Sequence, residues 1–240
     1  MIKVLSSNSQ GNSYVIKSST ETLLLEAGIP FKNIKKELNF DLSNIIGCIY
    51  THSHSDHSKC IKDMVNSSVD VFSAKEVNQE VIKKYNISSH RLNDIEPLKQ
   101  FVLGEFSIVP FLGVHTHSNG EECPVLNYLI YHKELGKILF ITDSYYVKNR
   151  FANVDHILVE CNYSEDILPT LPLYRARTIK SHMSLETLKE MLSTMDLSKT
   201  KDITLIHISH DNGDPKRFKK EIEELTNIKT YIGETGLVIE

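Results

Sequence analysis

An α/β fold, with two sheets packed together and helices outside them, is predicted by three observations. Short β-type runs alternate with stretches of helical spacing, and the alternation occurs twice along the chain. The 240 residues, 40% of them hydrophobic, are enough to bury a substantial core. No Pro/Gly/Ser-rich linker or low-complexity stretch interrupts them, so one domain over residues 1–240 is expected.

The elements follow in order. Ile2 to Leu5 is strand-like, and Tyr14 to Lys17, Thr22 to Leu25, Gly47 to Thr51 and Val69 to Ser73 are β-type runs bounded by Gly, Asn, Ser or Asp. Between them, Pro30 to Phe40 places Ile34 and Leu38 at helical spacing. Asp56 to Val65 does the same with Ile61, Met64 and Val65, and Ala74 to Tyr85 with Val77, Val81 and Ile82. The second half adds strands near Phe106 to Phe111, Val125 to Tyr131, Lys137 to Thr142, Ile157 to Cys161 and Ile203 to Ile208. Helices are expected from Ser184 and from Pro215.

Net charge is −4, with 27 basic residues scattered among 31 acidic ones, which offers no strongly basic surface for a long nucleic-acid backbone. Cys48, Cys60, Cys123 and Cys161 lie far apart without C-x-x-C spacing. That pattern fits buried apolar roles in a reducing compartment better than disulfides or a thiolate zinc site. The N-terminus lacks the charged segment and long apolar core of a signal, and no run reaches membrane-spanning length. A soluble cytoplasmic protein, without membrane partners, is expected.

Thr51-His52-Ser53-His54-Ser55-Asp56-His57 places three imidazoles and a carboxylate in six positions after the apolar run Ile45 to Tyr50. A polar turn with satisfied histidines explains any single His. Four N/O ligands in H-x-H-x-D-H order point instead to a metal site, with His52 and His54 on one face of a strand end sharing an ion and Asp56 and His57 reaching a second. Other candidate ligands also end β-type runs. Ile138-Leu139-Phe140-Ile141-Thr142 delivers Asp143, whose two oxygens can bridge two cations, and Ile203 to Ile206 delivers His207. His115 and His117 alternate after Pro110-Phe111. His182 precedes a helix capped by Ser184, where a helix N-terminus favours anions. His210 is either a neighbour of this group or a surface histidine of the Asp211 to Asp214 loop.

The H-x-H-x-D-H run resembles the signature of the metallo-β-lactamase superfamily. Together with Ser6 to Ser13, Leu24-Leu25-Glu26-Ala27-Gly28, Thr142-Asp143, His182-Met183-Ser184 and His207-Ile208-Ser209, it resembles the YycJ-like branch over nearly the whole chain. That branch includes DNA exonuclease-like proteins and phage anti-Pycsar cyclic nucleotide phosphodiesterases. The resemblance implies an αββα sandwich. It favours His115 over His117 as ligand and assigns His182 to the phosphate and to protonation of the leaving oxygen. The implied sets are His52, His54 and His115 for one divalent cation, Asp56, His57 and His207 for the other, and Asp143 bridging. Zn2+ is expected, with Mn2+ as the alternative.

Asp56 and His182 are thus the residues placed nearest the chemistry. Glu26 departs from the Asp usual in relatives and would support the metal loop. A cysteine ligand, a Gly-Gly after the first motif and spare length for an arm or second domain are all missing. β-Lactamase, glyoxalase II, RNase J-type and RNase Z-type readings are therefore disfavoured. The expected activity is hydrolysis of 3′,5′-cyclic mononucleotides by a homodimer, in host cytoplasm if phage-encoded, with Tyr145 and Tyr146 as pocket-wall candidates. A DNA or RNA exonuclease and a non-catalytic metal-binding protein are the alternatives, long nucleic acid ranking below a small nucleotide.

Overall fold

The computed structural model describes residues 1–116, 120–173, 175 and 179–240. Its backbone divides into two units, Met1–Pro110 with Glu234–Glu240, and Phe111–Gly233.

In the first unit, β1 (Ile2–Asn8) and β2 (Gly11–Lys17) form a hairpin. β3 (Thr22–Leu25), β4 (Ile45–Ile49), β5 (Val71–Ser73) and β6 (Leu92–Asp94) extend the sheet on one side, and β16 (Val238–Ile239) pairs with β1 on the other. From β3 to β6 the strands are parallel, which requires crossovers. The chain provides α1 (Phe31–Glu37), then α2 (Ser55–Ser58) with α3 (Ile61–Asn66), then α4 (Lys75–Tyr85). Apolar residues at helical spacing, Ile61 and Met64 on α3 and Val77 and Val81 on α4, are fully buried. The single helix expected over Asp56 to Val65 is two. The Cys60 N–H leaves the helical ladder and donates to Ala27 O at 2.9 Å, because the adjoining strand end claims that donor. A second hairpin, β7 (Phe101–Leu103) with β8 (Phe106–Leu112), completes this part of the chain.

The second unit opens with β9 (His115–Thr116) paired to β10 (Glu122–Cys123). It continues through β11 (Leu126–His132), β12 (Gly136–Ile141), β13 (His156–Glu160), β14 (Asp202–Ile206) and β15 (Lys229–Ile232), strands of the second sheet in the order β15-β14-β13-β12-β11. All pairs from β12 to β15 are parallel. One face of these strands, with Leu139, Ile141, Ile157, Val159, Ile203 and Leu205, forms a core with two helices. Leu185, Leu188, Met191 and Leu192 come from α5 (Leu185–Ser193), and Phe218 and Ile222 from α6 (Pro215–Thr226). Both helices start where capping chemistry places them. Ser184 accepts the Thr187 N–H at 3.0 Å, and Asp214 accepts the Arg217 N–H at 3.0 Å with Pro215 in the first turn. The parallel strands leave their C-terminal ends at Ile141, Glu160 and Ile206, and the candidate residues of this unit follow there.

Candidate metal and phosphate site

In the first unit, β4 stops at Ile49, so His52 and His54 sit in the following loop and not on a strand face. They are nevertheless together: His52 Nε2 is 2.9 Å from His54 Nδ1, and the His52 and His57 ring centroids are 4.3 Å apart. The loop is held from several sides. Ser58 Oγ donates to the carbonyls of Ser53 (2.8 Å) and His54 (2.9 Å), Lys84 Nζ donates to Ser53 O at 2.7 Å, and Ser53 Oγ bonds Glu80. Beneath it runs the strap Glu26-Ala27-Gly28, whose Ala27 N–H donates to His57 O at 2.9 Å. A Cβ on Gly28 would lie 1.6 Å from Asp56 O, so the metal loop rests directly on bare backbone.

Glu26 is fully buried, with its Oε2 3.3 Å from His57 Nδ1. Burial raises its pKa against the lowering influence of His57. With Nδ1 turned to Glu26, His57 directs Nε2 to the other side, where Asp56 Oδ2 (3.2 Å) and Asn12 Nδ2 (3.0 Å) lie. A carboxylate on one imidazole nitrogen, with the other turned toward further ligand candidates, is the usual arrangement of a metal-binding histidine. Glu26 therefore stands where the resemblance placed a supporting acid.

In the second unit, Asp143, Glu160, His182 and His207 each present a donor atom within 4.8 Å of the others. Asp143 and His207 follow their strands in left-handed backbone, at φ 45° and 50°, and Glu26 does the same in the first unit at φ 67°. Non-glycine residues rarely adopt this conformation, and each instance costs on the order of 1–3 kcal/mol. The same conformation occurs at seven other non-glycine positions among the described residues, so at these three it marks the turn by which the chain leaves each strand.

Glu160, unexposed at the end of β13, joins this group. Its Oε1 accepts from His182 Nδ1 at 2.8 Å and from His207 Nδ1 at 2.9 Å, while Oε2 accepts the N–H groups of Met183 (3.1 Å) and Ser144 (3.2 Å). Burial alone would raise the Glu160 pKa, but the His182 charge, against Asp143, and the imidazole hydrogen bonds leave it lowered and the carboxylate ionised. Burial likewise pulls the His182 imidazole down, and Glu160 and Asp143 more than offset it, so its pKa is raised. His182 Nδ1 also lies 3.4 Å from Asp143 Oδ1. Both histidines are thus oriented through Nδ1 by the same carboxylate oxygen. Glu160 was not among the residues nominated from sequence, although it ends the apolar strand Ile157 to Val159 as Asp143 follows Ile138 to Ile141.

His115 is buried, with Nδ1 3.2 Å from Ser181 O and Nε2 4.0 Å from Asp143 Oδ1; burial, against Asp143, lowers its pKa. His117 lies outside the described residues. His210 is a surface side chain, 98% exposed and paired to Asp211 at 3.2 Å. Tyr145 and Tyr146, directly after Asp143 and Ser144, are 44% and 40% exposed.

Three clustered imidazoles with an adjacent carboxylate in one unit, and two imidazoles with two carboxylates in the other, form nitrogen and oxygen donor sets suited to divalent cations. The beta-lactamase superfamily domain model matches residues 25–208, more than half of the chain and inclusive of every nominated ligand. The chain belongs to the metallo-beta-lactamase superfamily. As a metallo-hydrolase of that superfamily it is 24% identical over 246 residues to exodeoxyribonuclease YycJ of Bacillus anthracis, covering 96% of this chain and 91% of the relative. It is 26% identical over 227 residues to exodeoxyribonuclease WalJ of Streptococcus pneumoniae, covering 87% and 81%. Among solved structures, the metallo-beta-lactamase fold protein YhfI from Bacillus subtilis superposes with a TM-score of 0.76 at 17% identity over 100% of this chain and 98% of the other. The YycJ-like branch and the two-sheet fold expected from sequence are both borne out. Among the described residues no helix is long and apolar enough to cross a membrane.

Proposed function

We propose that this metallo-hydrolase is a phosphodiesterase that removes nucleotides from DNA ends. The phosphodiester chemistry rests above all on the His182–Glu160 pair: an imidazole held at 2.8 Å by a buried carboxylate, immediately before the Ser184-capped helix. His52, His54, Asp56 and His57 in one unit, with His115, Asp143 and His207 in the other, are the residues that would hold two divalent cations. When bound, such cations polarise phosphoryl oxygens and lower the pKa of water. The protein's own contribution is orientation and proton transfer. Glu160 keeps the Nδ1–H of His182 engaged and supports its protonated state, so Nε2–H can hydrogen-bond the phosphate and pass its proton to the departing deoxyribose oxygen. His182 then remains neutral with the Glu160 hydrogen bond intact.

The choice of DNA ends is supported by the exodeoxyribonuclease names of relatives matched over most of both chains. The sequence adds Arg175, Arg177 and Lys180 in the eight positions leading to His182, cationic side chains suited to a phosphate backbone. The second reading, cyclic mononucleotide hydrolysis by a homodimer, is favoured by the exposed Tyr145 and Tyr146 beside Asp143, which offer faces for a base. Mass spectrometry of products from end-labelled DNA, RNA and a panel of 3′,5′-cyclic nucleotides, with Zn2+- or Mn2+-loaded protein, separates the two. Mononucleotides released progressively from DNA are expected. Turnover of a cyclic nucleotide with intact DNA would replace the first reading by the second.

A further inference from the structure

Beside the loop of candidate metal ligands in the first unit, a groove of about 680 Å3 runs across the β1–β2 hairpin and α1. Its size falls within the roughly 300–1,000 Å3 of ligand-binding clefts. Three lysines line it, Lys3, Lys36 and Lys59, against one acid, Glu37, a net positive lining in a chain whose overall charge is −4. Lys3 is already paired to Glu37, and Lys59 Nζ donates to Gln10 O at 2.9 Å. The exposed Lys36, Asn33 and Gln10 side chains make no hydrogen bond or ion pair among the described residues. The groove therefore presents an unspent ammonium and neutral hydrogen-bonding groups together. Its position is equally specific. Gln10 and Gly11 lead into Asn12, whose Nδ2 lies 3.0 Å from His57 Nε2, and Lys59 is two residues beyond His57.

We propose that this groove is a track for the sugar-phosphate backbone of the strand whose end is being hydrolysed, with Lys36 and Lys59 as its phosphate contacts. The inference rests on the DNA-end reading and extends it. The metal residues act on the terminal phosphodiester, and the groove holds the strand a few nucleotides away, so affinity increases with strand length.

Fluorescence anisotropy of a labelled single-stranded 12-mer and of a dinucleotide, measured on metal-loaded full-length protein across a salt series, tests it. Each phosphate contact on a single strand contributes a slope of about 0.7 in log K against log salt, equivalent to about fourfold in affinity at 0.15 M salt. K36Q/K59Q should therefore bind the 12-mer about 15-fold more weakly, with a slope shallower by about 1.4. Dinucleotide binding and turnover of bis(p-nitrophenyl) phosphate should stay unchanged. E37Q, which removes the groove's one acid and releases Lys3, should tighten 12-mer binding.

Wild-type affinity and slope in K36Q/K59Q, in a protein that does degrade DNA, would overturn the track and leave the DNA reading standing. Equal weakening for the dinucleotide would also overturn it, indicating a separate nucleotide site. A wild-type protein that neither binds nor degrades DNA would remove the DNA reading and the track with it.

Discussion

Glu160→Gln is the most informative single substitution. The carboxylate accepts four hydrogen bonds, two imidazole Nδ1–H on Oε1 and two backbone N–H on Oε2, and is fully buried. Glutamine fills the same volume but has one acceptor oxygen and an NH2 group. Whichever way the amide turns, its NH2 faces two donors. If those are the Ser144 and Met183 amides, both lose their partner. If they are the imidazoles, each must give up its Nδ1 proton: His182 can then no longer be the imidazolium acid, and His207 carries its proton on Nε2, where it would block metal binding. In the first orientation each buried donor left unsatisfied costs about 1–3 kcal/mol, so two cost about 2–6 kcal/mol, a large share of a typical domain's 5–15 kcal/mol; in the second the loss falls on turnover and metal binding. Loss of the protonated, oriented His182 should lower turnover on the order of 10²–10⁴-fold. Urea denaturation of the wild type and E160Q measures the first, and single-turnover hydrolysis of a simple phosphodiester at saturating metal measures the second. An E160Q protein within about 0.5 kcal/mol and twofold of wild type would refute the role assigned to the carboxylate, since one orientation orphans donors at about 1 kcal/mol or more each and the other removes the protonated His182.

Three further outcomes are expected. His182→Ala should retain its metal by elemental analysis yet lose on the order of 10²–10⁴-fold in single-turnover rate, and unchanged hydrolysis would remove His182 from the proton-transfer step. Gly28→Ala must displace the Asp56 carbonyl, which a Cβ would approach to 1.6 Å, so metal content should fall and the urea midpoint should drop; a normally loaded, equally stable G28A would contradict the close-packing account. Glu221 on α6, bonded to Lys189 of α5 and Arg217, has its pKa lowered by them, so its contribution is present above the ordinary carboxylate value and lost as pH falls through the depressed folded value. Because the pair is largely solvated, E221Q should flatten the acid limb of stability against pH by less than about 1 kcal/mol, and an unchanged limb would show the tie is inert.

Much of this arrangement was legible in residue order because strand ends carry the site. Apolar runs that stop at an acid or histidine located Asp143 and His207, and the clustered H-x-H-x-D-H run located itself. Ser184 and Pro215 marked two helix starts because capping is a local interaction. What failed was long-range. The break at Cys60 depends on Ala27 O, more than thirty residues away, and short strands such as β6, β7 and β15 have too few residues to show a period. The proximity of His52 and His54 was foreseen on the wrong ground, since a loop pinned by Ser58, Lys84 and Glu80 brings them together, not strand alternation. Glu160 carried a visible signal, an acid closing an apolar strand. Its importance came only from the convergence of His182 and His207 on one carboxylate, which no spacing encodes.

Metal-dependent removal of nucleotides from DNA ends is tested most directly by stripping the protein with a chelator and titrating Mn2+ or Zn2+ back while following product from end-labelled DNA. No turnover in the stripped protein, restored with a plateau at two equivalents per chain, is the expected result. Full DNA hydrolysis without metal, or a plateau at a single equivalent with one ion by elemental analysis, would contradict it.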